Sequence, residues 1–244
     1  IYARDVRTTT NIKSVFVSNV AEHGGFFYIS DSEHFFCIRC ISLYNKADVS
    51  GGSIYADGLK TIEIADSYFE GNYAYKVGGV LSIKGIIAFN SLRSVYIDNK
   101  ASVRNAVFLI NSCYNATLLA NKIINNIATT GGVGEIQVNL FSTTYSYFVS
   151  NKAKIVAVLV IHNAEIIHCI NSIFMNNIAL KTPGVLSLQL TKFTLVTRTL
   201  FLHNEVSQKK QKRFKGGIVK LKNVNFIHYT EVLFINNNFH GGMT

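Results

Sequence analysis

Apolar residues fall on alternate positions in short stretches of this chain, and the stretches recur. Phe27/Ile29, Leu81/Ile83, Phe108/Ile110, Leu159/Ile161, Leu186/Leu188 and Val219/Leu221 are apolar pairs, while the positions between them vary from Tyr28 and Ser82 to Glu135 and Lys220. A period of two predicts a strand with one face buried and one facing outward. Each run follows a Gly-Gly pair or its equivalent: Gly24-Gly25, Gly51-Gly52, Gly78-Gly79, Gly131-Gly132, Gly216-Gly217 and Gly241-Gly242. Asn105-Ala106, Val156-Ala157 and Pro183-Gly184 stand in that place in three other stretches.

Between one glycine pair and the next stands an asparagine. The nine anchors are Asn19, Asn45, Asn72, Asn99, Asn126, Asn151, Asn177, Asn204 and Asn237, 25 to 27 residues apart except for a final step of 33. Three residues before the anchor the chain carries an aromatic in most copies (Phe16, Phe69, Tyr96, Phe148, Phe174, Phe201, Phe234), and five before it a small, mostly polar residue such as Ser67 or Ser146. Two after the anchor comes Ala in the first seven copies, from Ala21 to Ala179. Self-similarity at such a period is the mark of a solenoid.

One repeat has room for three short strands and three turns and cannot bury its apolar face alone. Stacking coils at the 4.8 Å spacing of hydrogen-bonded strands buries that face against its neighbours. The expectation is an all-β, right-handed parallel β-helix of about nine coils over residues 1–244, a single domain and a rod roughly 43 Å long at that spacing. Asparagine suits such a corner, because it tolerates the left-handed conformation and its amide can bond to the amides above and below. A helical solenoid is the alternative; the period-two alternation and scarcity of helix formers count against it.

The Phe-x-x-Asn stretches (Phe16–Asn19, Phe69–Asn72, Phe148–Asn151, Phe174–Asn177, Phe201–Asn204, Phe234–Asn237), with "GGSI", "GGVL" and "GGIV", resemble the repeat pair of chlamydial polymorphic outer membrane proteins. Similar repeats occur in surface proteins of ciliates. The resemblance covers nearly the whole chain. It implies a pectin-lyase-like β-helix and a surface-exposed adhesive or structural passenger.

Composition refines this picture in two respects. The chain is 48% hydrophobic and 16% charged, which argues against disorder. It carries a net charge of +10, much of it in "QKKQKRFK", where Lys209, Lys210, Lys212, Arg213 and Lys215 would project on a loop that lengthens one coil. That loop is either simply solvated or a contact for an acidic glycan or acidic protein. Nucleic acid is not expected, since only Phe214 offers an aromatic platform among these charges. No run reaches the length of a membrane span. The chain opens on Ile1, and its motif runs almost from one end to the other, so a segment of a longer chain or an assembling subunit is expected.

Candidate chemistry is sparse. The fourteen acids are scattered. Arg39, Asp66 and Arg93 share one column and would form an outward charge ladder; no second carboxylate accompanies Asp66 in it. His168 and His228 share a column two rungs apart with Leu195 between, and neither His nor Cys residues have metal-site spacing. Cys37 and Cys40 form a Cys-x-x-Cys, open to a local disulfide, a redox pair or half a metal site. Cys113 and Cys169 are too remote for bridging and read as core residues. Asn115-Ala116-Thr117 is a glycosylation sequon.

Positions four and two before the anchor are also apolar, as in Val15/Val17, Val95/Ile97, Ile173/Met175 and Leu200/Leu202. With the aromatic between them pointing inward, these columns either face outward or are turned inward by a bulge. A stripe facing outward requires a covering partner. The functional expectation is a non-enzymatic structural or adhesive rod, extracellular or at the cell surface, that associates with itself or another protein and needs no cofactor. The alternative is a carbohydrate-binding or polysaccharide-degrading module.

Overall fold

The computed structural model describes residues 1–181, 184–208 and 217–241, and its strands pair in parallel with strands one coil away. Thirty-one strands build three sheets: a first sheet of thirteen and a second and third of nine each. The nine-stranded stacks count nine coils, as the repeat predicts. No described residue is helical. The basic residues Lys209, Lys210, Lys212, Arg213 and Lys215 lie outside the described residues, as do Pro183, Gly216 and Gly242.

A typical coil starts after the glycine pair with a first-sheet strand, often 12 residues long as in Leu81–Leu92 and Phe108–Leu119. A left-handed residue such as Ser112 or Asn163 kinks it midway in most coils. A turn leads to a three-residue second-sheet strand (Tyr68–Glu70, Val95–Ile97), another turn to the third sheet (Lys100–Arg104, Lys152–Ile155), and the glycine corner closes the coil. From the second glycine position to the next anchor is 20 residues in every coil but one. That coil has 19, and it lacks the kink residue: the strand Gly134–Thr144 has 11 residues and its register with the preceding strand shifts between Ile110 and Cys113. Between the glycine corner and the anchor the length therefore changes only where the strand loses its kink and its register shifts.

The anchor asparagines form the expected ladder. Asn99 Oδ1 accepts from Asn72 N (2.9 Å) and Asn72 Nδ2 (3.1 Å), while Asn99 Nδ2 donates to Asn126 Oδ1 (3.1 Å) and to the Phe69 carbonyl of the preceding coil (3.0 Å). The pattern runs from Asn19 to Asn237, and the seven inner amides are fully buried. One expectation needs correcting. The left-handed residue of this corner is not the asparagine but the residue before it: Ser18, Tyr44, Gly71, Asp98, Asn125, Ser150, Asn176 and His203 all have positive φ. The asparagine turns inward while its predecessor takes the strained conformation and donates its N–H to the next coil, as Asp98 does to the Ile124 carbonyl at 3.1 Å.

The small polar column is a second ladder at the preceding corner. Cys40 N donates to Ser67 Oγ (3.0 Å), Ser67 N to Ser94 Oγ (3.1 Å) and Ser94 N to Asn121 Oδ1 (2.9 Å). Between the ladders the aromatics stack, with Phe148–Phe174 and Phe174–Phe201 centroids 4.7 and 4.9 Å apart and nearly parallel. At the third corner the glycines divide the work. Gly78 supplies positive φ; Gly79 needs the space, because a Cβ there would stand 2.2 Å from the Ala106 carbonyl oxygen. The variable column of the first sheet is less open than alternation suggests, since Ser82 and Ser187 are buried, Ser187 under Gln189 (3.2 Å).

Replacing a central rung amide strands several buried groups at once. Asn126→Ala should lower unfolding free energy by about 3 kcal/mol or more, with the urea m-value unchanged. Asn19→Ala at the half-covered end should cost clearly less in the same titration.

Candidate interaction surface

The second sheet separates its columns cleanly. Phe69, Tyr96, Ile123, Phe148, Phe174 and Phe201 point inward and are inaccessible to solvent. Their neighbours on both sides point outward: Val15 is 59% exposed, Tyr147 45% and Leu233 57%, with Val95, Ile97, Ile173, Met175, Leu200 and Leu202 half-buried. The pairings from Tyr68–Glu70 through Leu200–Leu202 run in continuous register, so no bulge turns either column inward. Of the two readings open from sequence, the outward stripe is the one realised.

Two charged residues interrupt it. Glu70 accepts hydrogen bonds from Tyr44 Oη (3.1 Å) and Tyr68 Oη (2.9 Å), and this carboxylate pushes both phenols above their ordinary range, with burial the larger cause at Tyr68. Lys122 stands exposed two rungs on. One rim of the stripe is the left-handed column Lys13, Arg39, Asp66, Arg93, Ala120, Tyr145, Asn171, Arg198 and Glu231. There Arg93 grips Asp66 with two hydrogen bonds, Nε to Oδ1 at 2.7 Å and Nη2 to Oδ2 at 2.9 Å. That contact holds the Asp66 carboxyl below the usual range, with Arg39 adding to it through its charge alone, so of the ladder read from sequence the Asp66–Arg93 step is formed as an ion pair.

The remaining sequence candidates are spread over other faces. His168 and His228 share an outward column of the first sheet with Leu195 between them, as expected. Asn115 faces outward and half-buried on the same sheet, between Ala88 and Leu140. Cys37 and Cys40 are free, buried thiols and form no local disulfide. Cys37 ends an inward strand column, whereas Cys40 takes the serine place at the next corner and donates to the Asn11 carbonyl at 3.4 Å. A hydrogen bond to Cys40, with burial, drives the Cys37 thiol far above its ordinary value. Burial pushes Cys113 up to about 11 and Cys169 up to about 12.

One cluster was not legible from spacing. Glu135, half-buried on the first sheet, has Oε1 3.3 Å from His162 Nε2 and Oε2 3.7 Å from Arg104 Nη1. The residues come from three coils and two sheets, so only the stacked structure assembles them. The contact with His162, reinforced by Arg104, depresses the Glu135 carboxyl against the opposing effect of burial. Among the described residues no group of three His, Cys, Asp or Glu side chains could hold a metal ion.

Two measurements follow from these environments. Intact-mass alkylation should find no thiol reactive in the native protein and four after denaturation; two after denaturation would mean a bridge. Glu135 stabilises the fold as a carboxylate, so its contribution is present above the ordinary carboxylate range, near pH 4.3, and is lost as pH falls through its depressed folded value. Glu135→Gln should reduce stability at neutral pH and flatten the acid limb of the stability profile.

Comparison of the chain with family models, with curated proteins and with solved structures found no match.

Proposed function

We propose that this chain is a non-enzymatic structural or adhesive rod that associates laterally with copies of itself through the outward face of its second sheet. The observation that carries the reading is the double apolar column on that face, repeated on nine stacked strands. At 4.8 Å per rung the stripe is about 40 Å long and, two residues wide, covers about 400 Å², within the roughly 300–600 Å² of the largest apolar patch on a typical monomer, a patch that is often functional. Two such faces with their rims approach the roughly 1,000 Å² of a specific interface. The face is flat, repetitive and pre-formed, so docking orders few side chains beyond those already held in strands.

A pectin-lyase-like setting, with the adhesive surface role of the polymorphic outer membrane proteins whose repeat this chain resembles, fits an extracellular or cell-surface rod. The alternative of a carbohydrate-binding module is favoured by one separate feature, a groove of about 590 Å³ beside the asparagine corner, lined by Asp98, Lys100, Asn125, Ile127, Ser150 and Lys152. The basic loop Lys209–Lys215 would supply an additional contact for acidic partners.

Sedimentation velocity over a wide concentration range should show reversible oligomers. Val95→Lys combined with Ile173→Lys should leave a monomer with unchanged circular dichroism and thermal stability. A wild-type chain that stays monomeric at the highest concentration would remove the self-association reading.

A further inference from the structure

The apolar stripe of the second sheet has two unlike rims. One is the left-handed column before the serine corner, where Lys13, Arg39, Arg93 and Arg198 stand against the carboxylates of Asp66 and Glu231. Among the described residues Lys13, Arg39 and Arg198 form no ion pair. The other rim is the left-handed column just before the anchors, in which Asp98 is the only acid and there is no Lys or Arg. Glu70, on the stripe column next to this second rim, adds a carboxylate, and its oxygens accept from the Tyr44 and Tyr68 hydroxyls. One rim is therefore basic and the other acidic and aromatic.

We propose that two copies of this chain pair in parallel and in register about a twofold axis along the rod, the basic rim of each lying on the acidic rim of the other. The inference rests on the lateral association proposed above and gives it a geometry. Such an axis sets every rung opposite its own copy and exchanges the columns. Arg39 then faces the partner's Tyr44, whose ring takes a guanidinium on its face, and Arg93 faces the partner's Asp98. Arg93 uses Nε and Nη2 on Asp66, so Nη1 is open to a second carboxylate. Symmetry makes each of these contacts twice.

The stripe between the rims fits the same arrangement. Val17 meets the partner's Val15, Ile97 meets the partner's Val95 and Met175 meets the partner's Ile173, apolar on apolar along the rod. Glu70 lies opposite the partner's Tyr68 and keeps the hydrogen bonds of two phenols, so the contact buries no bare carboxylate. Lys122 lies opposite the partner's Ile124, which its methylenes cover while the ammonium leaves past Ala120, the smallest residue of the basic rim. Turning one rod end for end would instead set each column against itself. Arginines would face arginines, Asp98 would meet no cation, and full overlap of the nine rungs would press Lys122 on the partner's Lys122. Charge complementarity therefore selects the parallel pair.

Association and geometry are tested separately on the whole chain. In sedimentation velocity at low salt, Asp98→Arg and Arg93→Asp should each weaken the dimer at least roughly tenfold, since each turns two attractive contacts repulsive. An equimolar mixture of the two variants should recover dimers near wild-type affinity, because one rim contact of the mixed pair is native and the other is exchanged. Nitroxides placed singly on Lys46→Cys, Lys100→Cys and Lys152→Cys, which lie on three different rungs of the third sheet, should report one common interspin distance. An antiparallel pair cannot give three equal distances, whatever its register. The labelled chains keep both rims intact, so the distances decide the matter even where circular dichroism shows a rim variant to be misfolded. Unequal distances, single variants that associate as the wild type does, or a mixture no tighter than its components would overturn the parallel pairing and leave lateral association standing. A wild-type chain that stays monomeric would remove both.

Discussion

A primary amide buried in a protein has to find partners for two donors and a carbonyl oxygen, and in this chain only another copy of the same amide, one coil away at the same height, completes the set. Asn72, Asn99, Asn126 and Asn151 each donate upward to the next side-chain oxygen and downward to a backbone carbonyl, and each accepts twice from the coil before. A slip of one residue between coils would break four such contacts per rung and leave them in a solvent-free interior, where each unmade bond costs about 1–3 kcal/mol. The ladder therefore acts as a register pin. Insertions and deletions survive only between pins, at the step into the glycine corner and at the mid-strand kink, and those are the places where the coil length varies.

The pin also explains the strain around it. Lys13, Arg39, Tyr145 and Arg198 are not residues that choose positive φ, and each pays a conformational cost of roughly 1–2 kcal/mol in that region. They are held because their N–H groups lie in line with a carbonyl one coil on, as Arg39 N does with the Ala65 oxygen at 2.9 Å. With the corners fixed by stacking, residues of poor left-handed preference are tolerated beside the Asn, Asp and Gly that favour it, and the choice among them is left to the surface. That is why columns so uniform inside are so mixed outside.

The same division decides what could be read from the sequence. Inward columns repeat, so the anchors, the aromatic stack, the alanines and the coil count were all visible as periodic residues. The ladder was anticipated, but the left-handed residue was placed on Asn itself, because asparagine is the usual occupant of such a turn; Tyr44 carries no local signal for it. The Ser67–Ser94 column was seen as small and polar, yet its hydrogen bonding to backbone N–H groups needs the coil above to be in place. Glu135, His162 and Arg104 share no column at all, and the groove beside Lys100 consists of residues that vary from rung to rung. Cys37 and Cys40 fall in two separate columns with a left-handed Arg39 between them, yet their free thiols stay within hydrogen-bonding reach of each other.

Charge on this rod is arranged by face rather than averaged. The first sheet and its turns gather the carboxylates and match them with Lys60, Lys84, Arg93 and Lys192, so that its outer surface is nearly balanced. The second sheet gives up charge almost entirely in favour of apolar columns, interrupted by Glu70 and Lys122. Among the described residues Lys46, Lys100 and Lys152 of the third sheet form no ion pair, and neither do Lys220 and Lys222 of the first sheet. A stacked coil makes such sorting straightforward, because a substitution on one outward column changes one face of the rod and leaves the ladder beneath it untouched.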